Sequence, residues 1–297
     1  MNPEIKAFLK PEVINTVSGL ELVARVIVEG FMSGSNRSQT IGSGLEFSQY
    51  RTYEPGDDLR QLDWKMYARA ERYFIKQAEI ETNITVKFMI DASRSMAYEE
   101  GGLSKLHLAK IISAALAYLA RKQRDNFGLF TVNNQHVTTI QPRFEQQQFL
   151  RFLNELVRVQ SEGTWKKDGL EMLLDHHGKE MIVFITDLYD EGGDLLQFIA
   201  RLKTSRNEVI VFHIMGKHEM EMDYGGSFTF EDLETGGRVQ IDTVADQKKY
   251  SDRLTQWIQT SRSWMLEKHI NYHFLRMDEP PDVALRKFLV ARKNLLH

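Results

Sequence analysis

The stretch Ile84-Thr85-Val86-Lys87-Phe88-Met89-Ile90-Asp91-Ala92-Ser93-Arg94-Ser95-Met96 decides how this chain is read. Its first half, rich in β-branched and aromatic residues, is a short run of the buried-strand type. The run stops at an aspartate followed by two serines at alternate positions. From there strands alternate with helices: a helix over 104–122, a strand over 126–132, a hairpin partner over 136–141 and a helix over 145–157. A short helix over 168–176, a strand over 180–186, a helix over 194–203 and a strand over 208–215 continue the order. A helix over 246–268, a strand over 271–276 and a helix over 282–296 close it. Such alternation predicts an α/β fold, a mostly parallel central sheet with helices on both faces. Residues 227–243 interrupt it, alternating around Thr235-Gly236-Gly237 as an inserted β-hairpin would.

Upstream, Val13, Val17, Leu20, Val23, Ala24, Ile27, Val28 and Phe31 recur at spacings of three and four, which predicts an amphipathic helix over about 12–32. Loop formers at Ser33-Gly34-Ser35-Asn36-Arg37-Ser38 and Gly42-Ser43-Gly44 end it and open an irregular segment to about Tyr73. A strand over 73–81 and a turn at Thr82-Asn83 lead back to the opening stretch. The expected division is an N-terminal helix and motif segment, 1–80, packed on a main domain, 81–297.

At 297 residues the chain can bury a real core, and with 42% hydrophobic residues it is neither disordered nor fibrous. Its 38 basic and 41 acidic side chains, a net charge of −3, signal neither a basic nucleic-acid binder nor an acidic tail. Having no cysteine excludes disulfides, thiolate metal sites and a cysteine nucleophile. The start, Met1-Asn2-Pro3-Glu4-Ile5-Lys6, lacks a secretory pattern, and the longest apolar run, Ile111 to Ala120, is about half of what spans a bilayer. The expectation is a soluble, cytoplasmic protein.

In open parallel sheets ligands bind beyond the carboxyl ends of the strands. There the sequence places Asp91, Ser93 and Ser95 after one strand, Asp187 after another and Thr164 in a later loop; Thr131 and Thr186 also lie near strand ends. Hard oxygen donors suit Mg²⁺, or Mn²⁺ or Ca²⁺ in its place. Two carboxylates balance a divalent ion and the hydroxyls add no charge, so one coordination position would be left for an external anionic oxygen, such as a partner's Asp or Glu. The plainer alternative is that Ser93 and Ser95 cap the next helix while Asp91 binds loop amides. A third reading is a metal-dependent, phosphoesterase-like hydrolase with Asp91 as nucleophile. Ser93 weakens it, because a hydroxyl cannot protonate a leaving group near neutral pH.

The pattern Asp91-x-Ser93-x-Ser95 with a distant Thr164 and Asp187 resembles the metal-ion-dependent adhesion site (MIDAS) of the von Willebrand factor A (vWA) domain. A second signature lies upstream: Gly42-Ser43-Gly44-Leu45-Glu46-Phe47, then Arg51-Thr52-Tyr53-Glu54-Pro55-Gly56-Asp57-Asp58-Leu59-Arg60, Asp63-Trp64 and Ala68-Arg69. It closely resembles the "domain of unknown function 58" family, and the likeness runs on through Asp232-x-Glu234-Thr235-Gly236 to Leu285 and Arg292. The resemblance implies a bacterial protein-interaction module, not an enzyme, that works as an adaptor with a MoxR-type AAA+ ATPase or its client. Many members of that family begin with membrane spans, which this sequence lacks.

Read physically, Pro55-Gly56 is a turn that presents Asp57 and Asp58. Glu46, Arg51, Arg60, Asp63 and Arg69, with Tyr53 and Trp64, then form either a charge-paired network or a docking surface, since arginine and tryptophan are frequent interface anchors. His176-His177 diverge on a helix, and His269 and His273 straddle a helix-to-strand junction, so neither pair reads as a metal site. The glycine pairs lack a phosphate-loop lysine and a dinucleotide fingerprint.

Overall fold

In the computed structural model of the chain, residues 8–35, 49–53, 62, 64–77, 84–135, 137–165, 179–190, 193–221, 228–231, 237–241 and 244–295 are described. The opening stretch forms strand β1, Thr85–Asp91. Alternation sends Val86, Phe88 and Ile90 into one apolar cluster and Met89 into another, so helices cover both faces. The remaining strands of the sheet are β2, Asn126–Val132, β3, Val137–Arg143, β4, Glu180–Thr186, β5, Asn207–Met215, and β6, Asn271–Arg276. Their order across the sheet is β6-β5-β4-β1-β2-β3. All neighbours are parallel except β2 and β3. In β2, Gly128 sits at a register irregularity where an added Cβ would lie 2.4 Å from the Ile140 carbonyl, so only glycine lets the strands approach this closely.

Helices α1, Val17–Ser35, α2, Lys105–Lys122, and α3, Gln148–Arg158, pack on the first face. The last helix, α7, Pro281–Leu295, joins them. On the second face lie α4, Asp194–Leu202, and α6, Val244–Glu267. A short helix, α5, Lys217–Glu221, follows β5. Edge-to-face contacts of Phe88 and Phe127 with Phe152, at 5.5 and 5.7 Å, tie the sheet to α3. Each such pair adds about 1 kcal/mol to the area it buries. On the second face the ammonium of Lys87 meets Glu180 Oε2 at 3.0 Å, both side chains nearly inaccessible.

The order of the strands reverses between β1 and β4, because β2 and β3 extend the sheet on one side of β1 while β4, β5 and β6 extend it on the other. Asp91 ends β1 and Asp187 directly follows β4, so the two carboxylates flank the point where an α/β sheet opens a crevice.

Several expectations needed adjustment. The N-terminal helix starts as a separate turn, Pro11–Ile14, and restarts at Val17 after a break at Asn15 and Thr16. The segment read as irregular contains a strand, Gln49–Thr52, and a helix, Trp64–Ala70; the strand pairs antiparallel with Phe74–Gln77. Two elements were unforeseen, α5 and a hairpin of Glu99–Glu100 with Leu103–Ser104; both are too short for a periodicity to show. The inserted hairpin pairs Phe228–Glu231 with Arg238–Ile241. The helix expected over 168–176, the turn at Thr82-Asn83, residues 78–81 and the hairpin tip at Thr235-Gly236 lie outside the described residues. The chain forms two compact units, one of Met1–Ser33 with Ile84–His297 and one of Gly34–Asn83. Leu20, Val23, Ala24, Ile27 and Val28 of α1 are buried in the core of the first.

Candidate metal centre at the strand ends

Asp91 is wholly buried. Its Oδ1 accepts the Ser93 amide at 3.0 Å and its Oδ2 accepts the Thr186 hydroxyl at 2.7 Å. The backbone then turns through a 3₁₀ helix, Arg94–Ala97, in which the Ser93 side chain makes no capping bond. Instead the two serine hydroxyls meet at 3.0 Å, and Ser95 Oγ donates to Asp187 Oδ1 at 3.2 Å. The capping alternative therefore holds for the aspartate, which does bind a loop amide, and fails for the hydroxyls. Asp187 Oδ1 also accepts the Tyr189 amide at 3.2 Å. Between these two residues Leu188 is held at φ 56°, a left-handed conformation that costs a non-glycine residue about 1 kcal/mol or more.

The Thr164 loop is fastened to this turn through its backbone. Glu162 donates its amide to the Ala92 carbonyl and Arg94 to the Gly163 carbonyl, both at 2.9 Å. Gly163 has φ +63°, and a Cβ there would lie 1.8 Å from Asn134 Oδ1, the same atom that accepts the Thr164 amide at 3.2 Å. Thus Asp91, Ser93, Ser95 and Asp187 are joined side chain to side chain or through one amide, with Thr186 added. Thr164 reaches the same end of the sheet by backbone contacts, and its hydroxyl joins none of these bonds.

Sequence reasoning missed two residues here. Lys105, the first residue of α2, places its ammonium 2.9 Å from Asp187 Oδ2 and 2.8 Å from Glu219 Oε1 of α5. One signal was available: Ser104 caps α2 by accepting the His107 amide, and a lysine just after a cap opposes the helix dipole. Glu219 gave no signal, being separated from Lys105 by more than half of the sheet's elements. Burial pushes the Asp91 carboxyl up to about 6, aided by the charge of Asp187 and opposed by the bonds from Ser93 and Thr186. Burial acts on Asp187 in the same direction, but the Lys105 ammonium prevails and holds it below the usual carboxylate range. Burial also opposes charge on Lys105, which Asp187 and Glu219 overcome, raising it. On β5, burial pushes His213 down to about 3, leaving a neutral ring bonded to the Tyr272 hydroxyl at 2.6 Å.

The donors fit a small hard cation. Magnesium–oxygen bonds of about 2.1 Å in an octahedron place adjacent oxygens about 3 Å apart. Ser95 Oγ lies 3.0 Å from Ser93 Oγ and 3.2 Å from Asp187 Oδ1, hydrogen-bond distances that such a shell also accommodates. Such an ion would be held by Asp91, Ser93, Ser95 and Asp187, directly or through water. Among the described residues no group of three or more His, Cys, Asp or Glu side chains is placed to hold a metal ion, so an ion here would depend on the Ser93 and Ser95 hydroxyls beside Asp91 and Asp187.

Of the upstream signature, Tyr53, Trp64 and Arg69 are described, with Arg51 as backbone only; Glu46, Asp57, Asp58, Arg60 and Asp63 lie outside the described residues. Within that unit Tyr67 stacks on Tyr73 at 4.5 Å, with Tyr53 and Trp64 edge-on to this pair at 6.2 and 6.3 Å. Trp64 is 64% exposed and so anchors little. His273 packs between Phe212 and Phe288, as a core histidine does, and His176-His177 lie outside the described residues. No helix among the described residues is long and apolar enough to cross a membrane.

Comparison with known proteins places the chain in a family. "Uncharacterized protein Rv1480" of Mycobacterium tuberculosis (strain ATCC 25618 / H37Rv) is 22% identical over 231 residues, 76% of this chain and 72% of that protein. Among solved structures, the conserved hypothetical protein BatB from Bacteroides thetaiotaomicron matches 71% of this chain and 100% of its own, with 13% identity and a TM-score of 0.43. An aerotolerance-related membrane protein from Bacteroides fragilis NCTC 9343 matches 71% and 99%, with 16% identity and a TM-score of 0.45. The family described as "Protein of unknown function DUF58" matches residues 49–257, from the strand of the upstream unit into α6, and the chain belongs to that family.

Proposed function

We propose that this chain is a metal-dependent protein-interaction module of the von Willebrand factor A type. The observation that carries the reading is the convergence of Asp91, Ser93, Ser95 and Asp187 at the reversal of strand order, with both hydroxyls turned to each other and away from capping. When bound there, Mg²⁺ supplies a hard electrophilic centre with a position open to a carboxylate. The chain's own residues do the rest. Thr186 and the Ser93 amide orient Asp91, the Tyr189 amide and Lys105 orient Asp187, and Asn134 fixes the loop that carries Thr164. Ser93 Oγ bonds Ser95 Oγ, and a hydroxyl at this position cannot protonate a leaving group near neutral pH, which favours binding over hydrolysis. The partner is a MoxR-type AAA+ ATPase or its client, offering an Asp or Glu, and the module acts as its cytoplasmic adaptor.

Surface plasmon resonance against a purified MoxR-type ATPase tests this. Binding in Mg²⁺ should weaken at least tenfold in EDTA, and likewise in Ser93→Ala or Ser95→Ala, while Arg206→Ala, on an exposed turn, should change nothing. Binding indifferent to EDTA and to both substitutions would overturn the reading. Turnover of a generic phosphoester that is lost in Asp91→Ala would replace it with the hydrolase.

A further inference from the structure

The site already contains a cation of its own. The Lys105 side chain is 4% exposed, and its ammonium is spent on Asp187 Oδ2, Glu219 Oε1 and the face of Tyr98, 5.1 Å from the ring centroid. Asp187 is thereby shared: Oδ1 faces the Ser95 hydroxyl and Oδ2 faces the ammonium. Glu219 is fixed in turn, because its Oε2 accepts the Gly216 amide at 2.7 Å. Glu100 Oε2 accepts the His218 amide at 3.1 Å and the Tyr98 hydroxyl at 3.3 Å, so α5 is latched to the hairpin that precedes α2. A lysine placed against the helix dipole and kept from water is costly, and packing alone does not call for it.

We infer that Lys105 is a built-in counter-cation that sets how tightly this site holds a divalent ion, with Glu219 tempering it. With both aspartates ionised, Lys105 reduces the charge they present from −2 to −1. Glu219 draws part of the ammonium's hydrogen bonding away from Asp187. The two residues therefore act in opposite senses: removing the lysine charge should tighten ion binding, and removing the glutamate charge should loosen it. A site tempered in this way releases its ion readily, which suits reversible engagement of a partner. The inference rests on the metal reading above, and the test separates the two.

Calorimetric titration of Mn²⁺ into the full chain, with circular dichroism confirming the fold, gives the answer. Lys105→Met should bind at least tenfold more tightly than wild type, and Glu219→Gln at least threefold more weakly. Wild-type binding with Lys105→Met within twofold of it, or weaker, overturns this inference and leaves the metal site standing. Mn²⁺ binding by neither protein overturns both, whereas binding by Lys105→Met alone supports the inference in its strongest form. If Lys105→Met does not fold, Glu219→Gln decides: it is on the surface helix α5, and an unchanged or tighter affinity there overturns the tempering role.

Discussion

Strands β1 and β4 carry two buried charge clusters, and the two are balanced differently. Toward the strand starts Lys87 meets Glu180, cation against anion, in the layer beneath the second face. At the strand ends two carboxylates, Asp91 and Asp187, stand beside one ammonium, which binds Asp187 and is shared with a third carboxylate, Glu219 of α5. The first cluster sets one charge of each sign face to face. The second holds an uncompensated acid in a place where water cannot reach it, beside a leucine at positive φ. Groups that a fold needs for stability are paired. The excess at the strand ends is the feature on which the proposed metal site rests.

The largest effect should come from breaking the balanced cluster. Glu180→Ala leaves the Lys87 ammonium in the interior and should cost about 3–5 kcal/mol in urea denaturation, whereas the double change Lys87→Met with Glu180→Leu should be close to neutral. If the double variant loses as much as the single one, the cost does not come from an unmatched charge and the contrast fails.

A change at the unbalanced cluster should have the opposite sign. Asp91→Asn, measured in EDTA at pH 7, should gain about 1–3 kcal/mol, because a carboxyl raised to about 6 is unfavourably ionised at neutral pH. The folded-state value lies above the unfolded one, so the contribution of Asp91 to stability is present below about pH 4 and is lost as pH rises to about 6. His213, pushed down to about 3, works the other way over the same range, so the readout is the difference between wild type and variant, not either curve. A destabilised Asp91→Asn at pH 7 would mean that Asp91 serves the fold and not a ligand.

The smallest effect belongs to the other unit. Trp64→Ala should shift stability by less than about 0.5 kcal/mol, since the side chain is mostly in water. A thermal melt that falls by many degrees would show that the upstream signature is part of the structural core.

How much of this was legible follows from the range of each signal. Strands β2, β4 and β6 were read to the residue; in β4 the run Met181 to Ile185 is apolar throughout and lies between Gly178 and Asp187. The paired aspartates were legible too, since position at a strand end is a local property. Thr164 could be placed only by loop, and its neighbour in chemistry proved to be Asn134, whose amide donates to the Thr164 carbonyl and whose side chain accepts the Thr164 amide. Thr186, one of the hydroxyls left open, turned out to bond Asp91 directly. Lys105 and Glu219 were not legible because their meaning depends on contacts across 82 and 114 residues, which no periodicity records. The helix Trp64–Ala70 was hidden for another reason: at seven residues and with no buried residue, it is too short to show an amphipathic period.

The claim at the centre is that the excess carboxylate at the strand ends is there for a divalent ion. Electron paramagnetic resonance of Mn²⁺ at pH 7.5 tests it most directly, by counting bound ions in the wild-type chain and in Asp91→Ala of confirmed fold. One tightly held ion per wild-type chain and none in the variant is the predicted result. No bound ion in the wild type at millimolar Mn²⁺, or an undiminished signal in Asp91→Ala, would contradict it.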